Sequence, residues 1–236
     1  MKNETEKALQ LIKESEQLVF MTGAGVSVPS GIPDYRSLDG VYSGIDQPEY
    51  LLSHTCLDKE PDKFYQFTKL LYHPQAQPNV IHRKMAELEK VKKDCTVITQ
   101  NIDQLHDKAG SQNVLHFHGS LYDVYCRNCR QEVSAEDYLK SDRHEGCGGQ
   151  LRPNVVLYEE MLDETIIAQS VEKILGADTI VIVGTSLRVY PFAGLIQYKN
   201  SNSHVILVNK EAVLMTGNDV QVLGDAADFF EKVVIE

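Results

Sequence analysis

Leu18-Val19-Phe20-Met21-Thr22-Gly23-Ala24-Gly25 decides the fold: four consecutive apolar residues run straight into a turn held by two glycines. Apolar side chains on adjacent positions, rather than alternate ones, suit a strand covered on both faces, as in a parallel sheet. The pattern recurs in Thr96-Val97-Ile98, Val114-Leu115, Val155-Val156-Leu157-Tyr158, Thr179-Ile180-Val181-Ile182-Val183 and Val205-Ile206-Leu207-Val208. Between these runs, spacing predicts helices over about 61–72, 79–92 and 163–175, and Ala8, Leu11, Ile12 and Ser15 mark one face of an N-terminal helix. Strands alternating with helices predict an α/β fold, a doubly wound parallel sheet.

Two stretches break the alternation. Residues 32–60 are rich in Gly, Pro, Ser and Asp and read as a long loop with short helical pieces; loops of that length inside a compact domain usually serve function. From Tyr122 to Arg152 the chain is polar, cysteine-bearing and poor in apolar runs, and it contains Gly146-Cys147-Gly148-Gly149. It reads as a small insertion held by something other than a core.

Composition limits the function. The 236 residues carry a net charge of −11, which argues against nucleic acid or an anionic membrane as partner and suits a basic one, such as a lysine-bearing peptide. No apolar run approaches the roughly 20 residues that span a bilayer, and MKNETEKALQLIKESEQ at the N-terminus does not have the form of a secretory signal. Three of the five cysteines cluster between 126 and 147. In a leaderless chain this reads as metal binding before disulfides, and the expected compartment is the cytoplasm.

The polar residues richest in chemistry stand directly after the apolar runs. Gly23-Ala24-Gly25 follows the first, Gln100-Asn101-Ile102-Asp103 the second, Gly184-Thr185-Ser186 the fifth and Asn209 the last. In open parallel sheets, ligands bind beyond the carboxyl ends of the strands where the order reverses. Ordinary strand-to-helix turns favour the same residue types, but four of this polarity favour one shared crevice. Gly23-x-Gly25 is part of a dinucleotide fingerprint whose third glycine is replaced by Val28. Such glycines let phosphate oxygens approach the backbone amides. Asn209 stands where dinucleotide folds set a polar side chain against a ribose, although an isolated Asn is also a turn former.

His118 is the candidate general base, since an imidazole titrating near about 6.5 takes a proton at neutral pH; with eight histidines in the chain, a structural role is the plain alternative. Asp103 orients a substrate group or a water, or caps a helix. The metal signal is firmer. Cys126-x2-Cys129 and His144-x2-Cys147 form two short-spaced pairs with 14 residues between them. Zinc takes four N or S ligands in a tetrahedron, and a closed four-ligand site is structural. Such a site would let a core-poor insertion fold; the alternative is an incidental His144.

Together these segments resemble the sirtuin family of NAD-dependent protein deacylases, in its compact bacterial form. Gly23-Ala24-Gly25-Val26-Ser27 through Ser30-Gly31-Ile32-Pro33-Asp34-Tyr35-Arg36 is similar to the family's cofactor loop, Thr99-Gln100-Asn101-Ile102-Asp103 to its TQNID, and His118-Gly119 to its HG. The cysteine pairs with Gly148-Gly149-x-Leu151-Arg152-Pro153 resemble its zinc module, and Gly184-Thr185-Ser186-Leu187 with Val189 and Pro191 its GTSLxVxP. The resemblance implies a Rossmann-like NAD-binding domain over 1–121 and 153–236, a zinc-binding module over 122–152, and a helical subdomain drawn from 32–75.

The resemblance also implies the chemistry. Gly23, Ala24, Gly25, Val28, Arg36, Gln100, Gly184, Thr185, Ser186, Asn209 and Asp225 would hold NAD, with Tyr35, Ile102, Asp103 and His118 around its nicotinamide end. His118, Asn101 and Asp103 would be catalytic, and Cys126, Cys129, His144 and Cys147 would bind one structural Zn2+. The acyl oxygen of an acyl-lysine protein would attack the ribose as nicotinamide leaves, and His118 would then deprotonate a ribose hydroxyl. The products would be lysine, nicotinamide and O-acyl-ADP-ribose, with the 32–60 loop closing over the site to exclude water.

Three residues depart from the family pattern: Tyr35 for Phe, His144 for the third zinc cysteine, and Glu159 for the Gly of a Gly-Glu pair, where a side chain would narrow the peptide cleft or favour basic peptides. Members acting on acidic acyl groups carry Tyr and Arg three residues apart in the pocket helix. Tyr65 and Thr68 align there, so acetyl or another uncharged acyl group is expected. The rival readings are protein mono-ADP-ribosyl transfer at the same NAD site and a non-catalytic NAD-sensing module.

Overall fold

A computed structural model describes residues 2–34, 47–212 and 219–235. Helix α1 (Lys2–Glu14) leads into β1 (Gln17–Thr22), followed by the tight turns Ala24–Val26 and Val28–Ser30. Helices α2 (Pro48–Leu51), α3 (His54–Lys59), α4 (Pro61–Leu70) and α5 (Val80–Val91) precede β2 (Asp94–Thr99), α6 (Leu105–Lys108) and β3 (Val114–His116). Then come β4 (Gly119–Cys126), β5 (Glu132–Val133), α7 (Ala135–Lys140) and β6 (Leu151–Val155). The chain ends in α8 (Glu164–Gly176), β7 (Thr179–Val183), a 3-10 segment Phe192–Tyr198, β8 (His204–Asn209), β9 (Val220–Leu223) and α9 (Ala226–Phe230).

Six strands form a parallel sheet in the order β3-β2-β1-β7-β8-β9. The chain winds outward from β1 on one side and from β7 on the other, so the order reverses between them, and a crevice opens at their carboxyl ends. Alternate residues explain the continuous apolar runs. Leu18, Phe20, Val181, Val183, Ile206 and Val208 pack with α1, α5 and α9 through Ile12, Ile81, Met85 and Phe230. Val19, Met21, Ile180, Ile182, Val205 and Leu207 pack on the other face with Ile174 of α8 and with Phe192 and Leu195. Each such burial is worth about 1.5–3 kcal/mol.

The run Val155-Val156-Leu157-Tyr158 does not belong to the parallel sheet. Val155 ends β6 in a separate antiparallel sheet, β5-β4-β6, where it pairs with Gly119. Beyond it the Val156 amide donates to the His118 carbonyl at 3.0 Å and the Tyr158 amide to the Leu52 carbonyl at 3.0 Å. The run is apolar because Val155 and Leu157 join a third core.

That core also corrects the reading of the insertion as core-poor. Val124, Cys126, Tyr138 and Leu151 of the small sheet and α7 bury against Leu57, Phe64, Phe67, Leu71 and Tyr72 of the α3–α4 region. The small sheet begins at Gly119 and runs to Val155, past 122–152 at both ends. Half of its core is donated by a stretch far upstream, which no local run of apolar residues announces.

Candidate active site

The crevice at the reversal point is built by backbone contact. The Gly23 amide donates to the Val183 carbonyl at 3.2 Å, and the Gly25 amide to the Gly184 carbonyl at 2.9 Å. Gly184 itself sits at φ +61°, a left-handed conformation that glycine takes without strain. At the end of β2, Gln100 Nε2 donates to the Thr185 hydroxyl at 2.9 Å. At the end of β8, Asn209 Nδ2 donates to the Thr185 carbonyl at 3.2 Å. The structure therefore brings four strand ends together around Val183-Gly184-Thr185; Thr185 is buried, while Ser186 beside it is exposed.

Ser27, absent from the expected site residues, organises the floor. Its hydroxyl accepts from Asn101 Nδ2 at 3.1 Å and donates to Asp103 Oδ2 at 2.6 Å. The other Asp103 oxygen accepts from the Leu105 amide at 2.9 Å. Burial raises the Asp103 pKa, opposed by those two hydrogen bonds. Ala24, Ile32, Pro33 and Ile102 wall the same cleft, together with Leu71 and His73. The one signal for Ser27 in the sequence was its place inside the glycine-serine motif.

His118 lies on the turn between β3 and β4, with Nδ1 3.3 Å from the Gln100 carbonyl. A carbonyl only accepts, so Nδ1 carries the proton and Nε2 is left as a base. Burial lowers the pKa, and the hydrogen bond to Gln100 offsets only part of that, so the ring is neutral at pH 7. Two residues earlier, His116 behaves in the opposite sense. Burial acts to lower its pKa, but Asp107, 3.1 Å from Nε2, with the charges of Asp123 and Asp103, raises it on balance.

Other expected residues sit less centrally. Val28 is 37% exposed on the turn after Ser27 and lies outside the cleft lining. Asp225 caps α9, accepting from the Ala227 amide at 2.8 Å. Tyr35 and Arg36 fall outside the described residues. Tyr65 and Thr68 do not face the cleft: Thr68 is fully buried with its hydroxyl 2.9 Å from that of Tyr138, and the Tyr65 hydroxyl donates to the Tyr138 carbonyl at 2.8 Å. Both lock α4 to α7, and the wall is supplied instead by Leu71 and His73.

The Glu159 side chain is tied back to α3. The residue takes φ +74°, where glycine would be relaxed, and its carboxylate accepts from the Thr55 amide at 2.8 Å, at the start of α3. Its neighbour Glu160 clasps the buried Arg152, Oε1 to Nη1 at 2.6 Å, and accepts from the Leu157 amide at 3.0 Å. Burial acts to raise the Glu160 pKa, but Arg152, His54 and Leu157 pull it down to about 2.

The metal residues converge. One ligand atom from each of Cys126, Cys129, His144 and Cys147 lies within 4.8 Å of the others. Cys126 and Cys147 sulfurs are 3.5 Å apart, and His144 Nδ1 is 3.3 Å from both Cys129 and Cys147 Sγ. A hydrogen bond with His144 leads the causes that lower the Cys147 thiol to about 6. A Cβ on Gly149 would fall 2.6 Å from Cys126 Sγ and 3.2 Å from Cys147 Sγ, so glycine keeps the cradle open. Three sulfurs and one imidazole at this spacing fit a closed, structural Zn2+ site. A separate groove of about 530 Å³ on the small sheet, lined by Tyr125, Arg130 and Glu132 among others, contains none of the groups described so far as chemical.

The Sir2 family model matches residues 23–191. An NAD-dependent protein deacetylase of Listeria monocytogenes is 57% identical over 228 residues, covering 96% of this chain and 99% of the relative. One of Enterococcus faecalis is 53% identical over 209 residues, covering 89% and 88%. Among solved structures, a histidine-to-alanine Sir2 variant with deacetylated p53 peptide and 3'-O-acetyl-ADP-ribose has a TM-score of 0.88 at 32% identity, covering 97% of this chain and 96% of that one. Sir2Tm bound to a propionylated peptide has a TM-score of 0.83 at 32% identity, with 97% and 96% covered.

Proposed function

The chain belongs to the Sir2 family, and on that premise we propose that it is an NAD-dependent protein-lysine deacetylase acting on acetyl and other uncharged acyl groups. The observation that carries this reading is the meeting of Gly25 with Gly184, and of Gln100 and Asn209 with Thr185, at the reversal point, with a neutral His118 held by Gln100. NAD, when bound, supplies the electrophilic ribose carbon and nicotinamide as leaving group.

The chain's own residues do the rest. The glycine turns at 23–25 and 184 let a dinucleotide backbone approach closely, and Thr185, Ser186 and Asn209 are available to its hydroxyls. Asn101 and Asp103, fixed through Ser27, orient the reacting end inside a cleft walled by apolar side chains, which limits water. His118 Nε2 accepts the proton released from a sugar hydroxyl, and the Nδ1–H donated to the Gln100 carbonyl steadies the imidazolium that forms. Cys126, Cys129, His144 and Cys147 would hold a structural zinc. Among the described residues no helix is long and apolar enough to cross a membrane. None of the five cysteines is in a disulfide, which supports a cytoplasmic setting, and acyl-lysine proteins are the partners.

Mass spectrometry of products from a panel of acyl-lysine peptides with labelled NAD tests the reading. Deacylated peptide with labelled O-acyl-ADP-ribose is expected. Label retained on protein without acyl loss would replace the deacetylase by an ADP-ribosyl transferase.

A further inference from the structure

Beneath the cleft lie two histidines that the chemistry above does not use. His82 on α5 and His106 on α6 are buried to 0% and 1% exposure, with ring centroids 4.8 Å apart. Their protonation follows from their neighbours. The Asn79 amide donates to His82 Nδ1 at 3.4 Å, so the His82 proton is on Nε2. The Thr22 hydroxyl donates to Thr99 Oγ1 at 2.9 Å, so the 3.1 Å contact between Thr22 Oγ1 and His106 Nε2 is a donation from the ring. His106 Nδ1 is then a bare acceptor. These two remaining atoms, the His82 Nε2–H donor and the His106 Nδ1 acceptor, are both buried without a protein partner.

The two rings meet edge to face, so contact between them and not a hydrogen bond joins the networks on either side. Both networks reach the cleft. Asn79 Nδ2 holds the Val26 carbonyl and the Ser30 hydroxyl at 2.8 Å each, anchoring the segment that carries Ser27. At the other end Thr99 Oγ1 accepts from the Asn101 amide at 3.0 Å. Thr22 and Thr99 are direct cross-strand partners at the ends of β1 and β2.

We propose that His82 and His106 are positioning residues for the deacylation site: as a pair of neutral tautomers they link the anchor of the 24–34 segment to the Asn101 amide, fixing the distance between Ser27 and Asn101. The proposal rests on the deacetylase reading for its kinetic arm and stands apart from it in its spectroscopic arm. Burial drives both rings toward the neutral form, lowering His82 to about 3 and His106 well below its usual value.

Nitrogen-15 correlation spectra of the imidazoles in the full chain test the tautomers without any assay. Both rings are expected as Nε2–H tautomers with no titration between pH 5 and 8. A ring that titrates in that range, or either ring as the Nδ1–H tautomer, overturns the proposal. In the kinetic arm, His106→Leu is expected to lower kcat about tenfold or more, since it strips a buried hydroxyl of its donor, with the KM for acyl peptide changed less than kcat. His106→Gln, which returns an N–H to Thr22, is expected to recover most of that loss. Unchanged kcat in a folded His106→Leu protein, or a Gln variant as slow as Leu, overturns the positioning role. If His106→Leu fails to fold, the Gln variant and the spectra decide. A wild-type chain with no deacylase activity but with the expected tautomers would sink the functional reading and leave the tautomer assignment of the packed pair intact.

Discussion

Gly25 and Gly184 lie back to back: a Cβ on Gly25 would fall 2.7 Å from the Gly184 Cα, and one on Gly184 would fall 2.6 Å from the Val26 nitrogen. Approach this close is available to bare backbone only. Gly184→Ala must push the β1 turn away from β7, at about 1–3 kcal/mol for overpacking, and it must also hold a left-handed φ, at roughly 1–2 kcal/mol more. Calorimetry is expected to show NAD affinity reduced at least about tenfold, each tenfold being roughly 1.4 kcal/mol. Wild-type affinity in this variant would mean the two turns do not shape the dinucleotide site.

His118→Ala is expected to retain NAD binding and to lose about 10²–10⁴ in turnover, the usual worth of a general base. The sign of the pH dependence follows from burial, which depresses the pKa of this ring. The base form is complete above the ordinary imidazole value, so the acid limb of kcat/KM should have its midpoint below about 6.5. An acid limb centred above that value, or one that persists in the alanine variant, would point to another group.

Metal analysis of protein purified without added zinc is expected to give about one equivalent per chain. Gly149→Ala places a methyl group against the Cys126 and Cys147 sulfurs. It should lower that occupancy and make the small sheet sensitive to chelators. Full occupancy in the variant would show that the cradle has room to spare.

Arg152 has 7% of its side chain exposed and is paired with Glu160 at 2.6 Å. Arg152→Leu strips Glu160 of its main partner, but that carboxylate is 22% exposed and keeps the Leu157 amide and His54, so the cost should fall below the about 3–5 kcal/mol of a fully buried charge. Glu160 has a folded pKa near 2 against an ordinary value of 4.5. Its stabilisation is therefore complete above 4.5 and lost as pH falls toward 2. Urea midpoints measured from neutral to acid pH should fall less steeply in Glu160→Gln, and parallel slopes would refute the assignment.

His82 and His106 act in a higher window. Both are neutral when folded and free to protonate when unfolded, so the unfolded chain binds more protons below about 6.5 and stability falls as pH drops through that value. The slope is up to about 1.4 kcal/mol per pH unit for each ring. His106→Gln should flatten it between pH 6 and 5, and an unaltered slope would show that His106 is protonated in the folded state.

What the sequence disclosed and what it hid divide by the range of the contacts. β1, β2, β7 and β8 were legible because each strand is buried on both faces and so consists of apolar neighbours. β9 was not, because only Val220 among its residues is buried. The polar residues after the strands were legible as a group, since strand ends collect ligands; their joint attachment to Thr185 needed three dimensions. His116 and His118 look alike in sequence, yet one faces Asp107 and the other the Gln100 carbonyl. Tyr65 and Thr68 align with the pocket positions of the family, but an alignment is silent on what each side chain meets, here Tyr138.

Leu71 and Leu121 belong at once to the core beneath the cysteine cluster and to the wall of the catalytic cleft. The two halves of the molecule thus share a partition. An ion held by the cysteine cluster would brace the far side of that partition without touching a reactant, so loss of metal is expected to loosen the cleft wall as well as the small sheet.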